Sequence, residues 1–199
     1  MLVEIEQEGR PGGARGGRRG LVDVDAIGAD PSVVSVNSTG DSSDNNAGDD
    51  VCDTGGTVGS DPECTLRAAI EEANASATVD TIHFAIPTSD SGYSASPLSY
   101  TIQVGVPSTE ILPAITAPVT IDGTSQPDFP GTPIIVLDGT AATTPDTNGI
   151  TLEAGNSTIR GLSIVDFPDD GIEVDYNQAN VRYHNEYEDF SKIEYFNAN

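Results

Sequence analysis

After Thr65 the apolar residues Leu66, Ala69, Ile70 and Ala73 fall at the i, i+3, i+4, i+7 spacing of one helix face. Thr65 suits the start of such a helix and Asn74 its end. Glu71 and Glu72 lie off the apolar face, and Arg67 stands four residues before Glu71. No other stretch of the chain reads so clearly as a helix. Elsewhere apolar and polar residues alternate over short runs, the period of half-buried strands. Strands are expected at residues 33–36, at 81–86, where Ile82, Phe84 and Ile86 share a face opposite His83, and at 100–106, where Ile102, Val104 and Val106 alternate.

Beyond residue 115 the apolar runs become shorter and are punctuated by Gly and Asp. Val119-Thr-Ile-Asp-Gly-Thr124 and Ile135-Val-Leu-Asp-Gly-Thr140 share an ending at an offset of 16. Gly149-Ile-Thr-Leu152 and Gly171-Ile-Glu-Val174 repeat at an offset of 22, with Ile159, Leu162 and Ile164 between them. An offset near 22 fits one coil of a parallel β-helix, whose coils stack because a single short strand cannot bury its inward side chains. Gly161 and Gly171 would then serve bends that need a positive φ. An antiparallel sandwich also yields short strands with turn signals.

The stretch from Cys52 to Asn74 carries a resemblance. Cys64, Leu66, Arg67, Ala69 and Ile70 after an Asp/Gly-rich loop resemble the motif of the CSLREA-type bacterial surface proteins, with Thr65 where the family has Ser and Ala68 where it has Glu. The likeness continues through Ala73, Asn74, Asp80, Thr81, Ile82 and Phe84 and covers about residues 33–174. It implies an all-β chain folded as a right-handed parallel β-helix of pectin-lyase-like type, a short solenoid with one short helix near its N-terminal end. The implied organisation is a disordered or foreign leader at 1–30, an N-terminal cap region with the acidic loop and helix at 31–110, coils at 111–175, and an aromatic polar tail at 176–199. Tyr176, Tyr183, Tyr187, Phe190, Tyr195 and Phe196 crowd that tail, which departs from the family pattern.

Charge narrows the functions. The chain of 199 residues has 8 basic and 32 acidic side chains, a net charge of −24. Four of the basic residues, Arg10, Arg15, Arg18 and Arg19, fall in the first twenty positions, so the body is more acidic still. Such a surface repels phosphate backbones, which argues against nucleic acid as a partner. It also repels anionic membrane surfaces, and no apolar run reaches a transmembrane length, so membrane insertion is not expected. Residues 1–20 contain no apolar core of a signal peptide. The two cysteines, Cys52 and Cys64, suggest a disulfide in an oxidising compartment, against the alternative of two unpaired thiols. The body therefore points to a secreted or cell-surface location.

Candidate chemistry is sparse. Asp41, Asp44, Asp49, Asp50 and Asp53, with Asn45 and Asn46, form an acidic loop that could supply the oxygen ligands of calcium, although its spacing is not that of an EF-hand. Asp166, Asp169 and Asp170, with Arg160 nearest, are the one grouping that a polysaccharide lyase or glycoside hydrolase could use. Asp-Asp-Gly is equally ordinary turn chemistry. His83 and His184 do not suggest a pair. Asn37, Asn74 and Asn156 each open an Asn-X-Ser/Thr sequon. The expected function is a non-catalytic surface module, an adhesin or stalk fragment that meets a glycan or a cell-surface protein, with an enzyme on the same scaffold as the alternative.

Overall fold

The computed structural model describes residues 33–76, 78–105 and 111–175 in full, and 193–198 as backbone. The expected character of the leader, of the residues 176–192 of the tail and of His184 lies outside them. The described strands are β1 (Val33–Val36), β2 (Thr57–Val58), β3 (Asp61–Pro62), β4 (Asp80–Phe84), β5 (Tyr93–Ala95), β6 (Leu98–Gln103), β7 (Val119–Asp122), β8 (Ile135–Asp138), β9 (Ile150–Leu152), β10 (Ser157–Val165), β11 (Ile172–Val174) and β12 (Ile193–Ala198). The one described α-helix is α1 (Leu66–Ala75).

The fold is not a parallel β-helix, and this corrects the expectation. Eight strands form one curled, half-barrel mixed sheet in the order β1-β4-β7-β10-β8-β6-β5, with β12 on β10. Most neighbours are parallel, but β5 runs antiparallel to β6 and β12 antiparallel to β10. A solenoid stacks strands a near-constant number of residues apart. Here Val34 stands beside Ile82, Ile82 beside Ile121, Ile121 beside Ile159 and Ile135 beside Leu162, and these partners follow no fixed period. The repeated Asp-Gly-Thr segments are β7 and β8, which are not partners of each other; each flanks β10. Only the offset of 22 survives, as the parallel pair β9 and β11 in a separate two-stranded sheet.

The physical cause lies in β10. It is nine residues long, and its burial alternates until Gly161 and Leu162, which are both buried. Gly161 has φ +70 and pairs with neither flanking parallel strand. That is a kink without an extra residue: the left-handed glycine bends the strand and resets which side chains face inward, while the register against β12 runs on from Arg160–Tyr195 to Leu162–Ile193. The half before it pairs with β7 and the half after it with β8, so one bent strand joins two parallel ladders into one sheet. Gly171 does not take a positive φ; Asn156 and Asp166, which flank β10, do so instead.

One continuous core fills the curl. Val36, Ile82, Phe84, Ile121, Ile159, Leu162, Ile135 and Leu137 are buried, and the apolar face of α1 (Leu66, Ala69, Ile70, Ala73) belongs to the same cluster. The sheet draws strands from both 31–110 and 111–175. Thr65 caps α1 by accepting the Ala68 N–H at 3.1 Å. Asn74 lies within the helix; its side chain donates to the Ala114 carbonyl and accepts from Thr116 N–H, tying α1 to the chain ahead of β7.

Arg67 and Glu72 are buried, contrary to a reading of α1 by its apolar stripe alone. Arg67 forms a two-pronged ion pair with Asp41, Nε to Oδ1 and Nη2 to Oδ2, both at 2.9 Å, with side-chain exposures of 2% and 0%. Asp41 also accepts from Gly105 N–H at 2.7 Å, and Arg67 donates to the Ile111 carbonyl at 2.7 Å. The pair fastens the first loop, α1 and the segments around residues 105 and 111 together. Among the described residues no helix is long and apolar enough to cross a membrane.

Candidate functional site

The parallel run β1-β4-β7-β10 sets residues of four strands in register, about 4.8 Å apart from strand to strand. Its inward rows are apolar. Its outward positions form two rows that are polar except at Val33. One row is Ser35, His83, Asp122 and Arg160. The next holds the exposed Val33 on β1, followed by Thr81, Thr120 and Thr158. Ser35 is exposed, His83, the three threonines and Arg160 are half-exposed, and Asp122 is buried.

Asp122 is the fixed point of the first row. One of its oxygens accepts from Arg160 Nη2; the other accepts from Thr124 N–H at 3.0 Å and Thr124 Oγ1 at 2.6 Å. Burial works to raise the pKa of Asp122, but the bonds from Arg160 and Thr124 outweigh it and hold the carboxyl below its ordinary range. It therefore stays ionised and favours the folded state at neutral pH, a contribution lost only as pH falls through that lowered value. The turn that carries Thr124 is itself anchored: Ser125 Oγ donates to the Asp122 carbonyl at 2.6 Å and accepts from Phe84 N–H at 2.7 Å. Arg160 keeps 43% of its side chain exposed, while its Nε is buried and its Nη2 is held by Asp122.

The residues expected to carry chemistry are placed differently. Arg160 is committed to Asp122 and not to Asp166, Asp169 and Asp170, which are exposed in the turn after β10. The backbone N–H of Asp169 donates to the Thr147 carbonyl and that of Asp170 to Asn148 Oδ1, which is turn chemistry. In the acidic loop Asp41 is buried against Arg67. Asp44 accepts from Asn46 and Asp53 N–H, Asp49 from Val51 N–H and Asp53 from Gly55 N–H; Asp50 is exposed at φ +66. Among the described residues no group of three or more His, Cys, Asp or Glu side chains converges as a metal cage. Cys52 and Cys64 form a disulfide that closes the loop against the helix start. Asn37 and Asn74 use both atoms of their amides in hydrogen bonds, while Asn156 is exposed.

The loop instead leans on two carboxylates of α1. Glu71 accepts from Asp44 N–H at 2.6 Å and Glu72 from Gly48 N–H at 2.8 Å. Burial pushes the Glu72 carboxyl up; the Gly48 bond opposes this, and the charges of Asp44 and Asp49 add to it. A raised folded pKa means that ionised Glu72 costs stability at neutral pH, and that the cost fades as pH falls through the raised value toward the ordinary 4.5. Glu72→Gln keeps an acceptor for Gly48 without the charge. It should raise the urea midpoint at about pH 7 and leave it near that of the wild type at about pH 4.

The outward row is not legible in the sequence. His83 reads as outward-facing, but its neighbours depend on strand order, which the alternation does not encode. Comparison with known protein families, with characterised proteins and with solved structures finds no match.

Proposed function

We propose that this chain is a non-catalytic module of a secreted or cell-surface protein, and that the outward face of β1, β4, β7 and β10 binds a neutral glycan. The observation that carries this reading is the Asp122–Arg160 pair set among hydroxyl side chains. The half-exposed Arg160 side chain, held in place by the buried and ionised Asp122, stands in the row beside the half-exposed threonines, so a guanidinium and hydroxyls lie side by side, as neighbouring sugar hydroxyls require. The two charges cancel locally. The strongly acidic body disfavours uronates and sulfated chains, which leaves neutral polymers. The disulfide supports an oxidising compartment.

Catalysis is not part of the reading. Asp122 is held ionised by Arg160 and cannot serve as a proton donor at neutral pH. An array of neutral oligosaccharides tests the proposal. The wild-type chain should bind at least one, and Arg160→Ala should weaken that binding at least tenfold, the loss of about 1.4 kcal/mol expected for a charged hydrogen bond. Binding untouched by Arg160→Ala, or release of reducing ends from the bound glycan, would overturn it.

A further inference from the structure

We infer a second ligand site, a cleft of about 430 Å³ lined by Thr39, Gly40, Ser91, Gly92, Thr101 and Gln103. It lies where the loop after β1 and the loop before β5 meet the outer side of β6, away from the Asp122–Arg160 row. It rests on its own geometry and not on the glycan reading of that row. Its volume falls in the range of small-molecule sites, about 300–1,000 Å³.

The chemistry of the lining selects the ligand. Every lining residue is uncharged. Carboxylates line the two other clefts described, Asp50, Glu72 and Asp80 in one and Glu71 and Asp146 in the other. In a chain of net charge −24, an uncharged polar cleft is an exception. Cations are drawn to the carboxylates elsewhere, and anions are repelled by the field of the whole. The hydroxyls of Ser91 and Thr101 and the amide of Gln103 make no hydrogen bond among the described residues, and Ser91 and Gln103 are exposed. Three uncommitted groups that donate and accept on one cleft suit a neutral polyhydroxylated ligand of mono- or disaccharide size.

The walls are built and held. Asp90 accepts from Thr39 Oγ1, from Thr39 N–H at 3.2 Å and from Gly92 N–H at 2.8 Å, so its charge is spent on joining the two loops. Gly92 lies so close to β6 that an added Cβ would stand 2.5 Å from both the Thr101 carbonyl and Thr39 Oγ1. Thr101 N–H donates to the Gly92 carbonyl at 2.9 Å. Asp90 is thus a positioning residue that joins the two walls of the cleft.

The experiment is an amide chemical-shift titration of the full chain with glucose, galactose, mannose and N-acetylglucosamine, each to about 50 mM, a range that reads affinities near 1 mM. At least one sugar should give saturating shifts centred on Ser91, Thr101 and Gln103. Ser91→Trp, which fills the cleft, and Gln103→Ala should each weaken the response at least tenfold; both positions are exposed, so the fold should be retained. Arg160→Ala should leave it unchanged, which separates this site from the outward row. No saturating shift with any of the four sugars, or an undiminished response in Ser91→Trp, would refute the site.

Discussion

Asp41→Ala should cost about 3–5 kcal/mol of stability, the penalty for leaving a buried charge without its partner. Arg67 is 2% exposed and makes two 2.9 Å bonds to Asp41, so the variant strands a guanidinium in the interior. The Gly105 N–H loses its acceptor as well. Against a typical total of about 5–15 kcal/mol, a large part of the folded population could disappear. Urea denaturation followed by circular dichroism reads the effect. The pair replaced as a unit, Asp41→Leu with Arg67→Met, should recover much of the loss, because a well-packed apolar pair needs no charge compensation. An Asp41→Ala midpoint within experimental error of the wild type would show that the pair does not hold α1 to the loops.

Gly123→Ala should be nearly as damaging, at about 3 kcal/mol, the upper end for overpacking at a rigid site. An added Cβ would stand 2.1 Å from the Gly161 carbonyl oxygen and 2.7 Å from its carbon. The obstacle is backbone, so no side chain can swing aside. Gly161 in turn has φ +70 and lies at the bend where β10 passes from β7 to β8. Gly131→Ala is the control. Gly131 has a positive φ but no atom within 4 Å of the added Cβ, so only a backbone penalty of about 1 kcal/mol applies. Equal losses for the two variants would mean that the contact between Gly123 and Gly161 does not shape the sheet.

Much of the local structure is legible in the chain. The 3.6-residue period marks α1, Thr65 marks its start, and period-two alternation marks β1, β4 and β6 within a few residues. The sheet order is not legible, because alternation tells which face a side chain takes and not which strand lies beside it. The offset of 22 is real between β9 and β11 but local to them. Extended along the chain, it predicts a solenoid of strands that the bend at Gly161 gathers into one curled sheet. For the same reason Asp122 and Arg160, far apart in sequence, do not suggest a pair until β7 lies beside β10. Arg67 and Asp41 were hidden differently: charged residues near polar loops read as surface, and only packing shows them buried against each other.

The claim that the outward face of β1, β4, β7 and β10 recognises a neutral glycan is tested most directly by mapping a bound glycan onto the chain. Backbone and side-chain shifts are followed while manno-, xylo- and cello-oligosaccharides are titrated in. The account predicts saturating shifts along His83, Asp122 and Arg160 and along Thr81, Thr120 and Thr158, with the Arg160 guanidinium signals moving most. Saturating shifts confined to the turn at Asp166 to Gly171 or to the acidic loop, or no saturating shift with any of the three series, would contradict it.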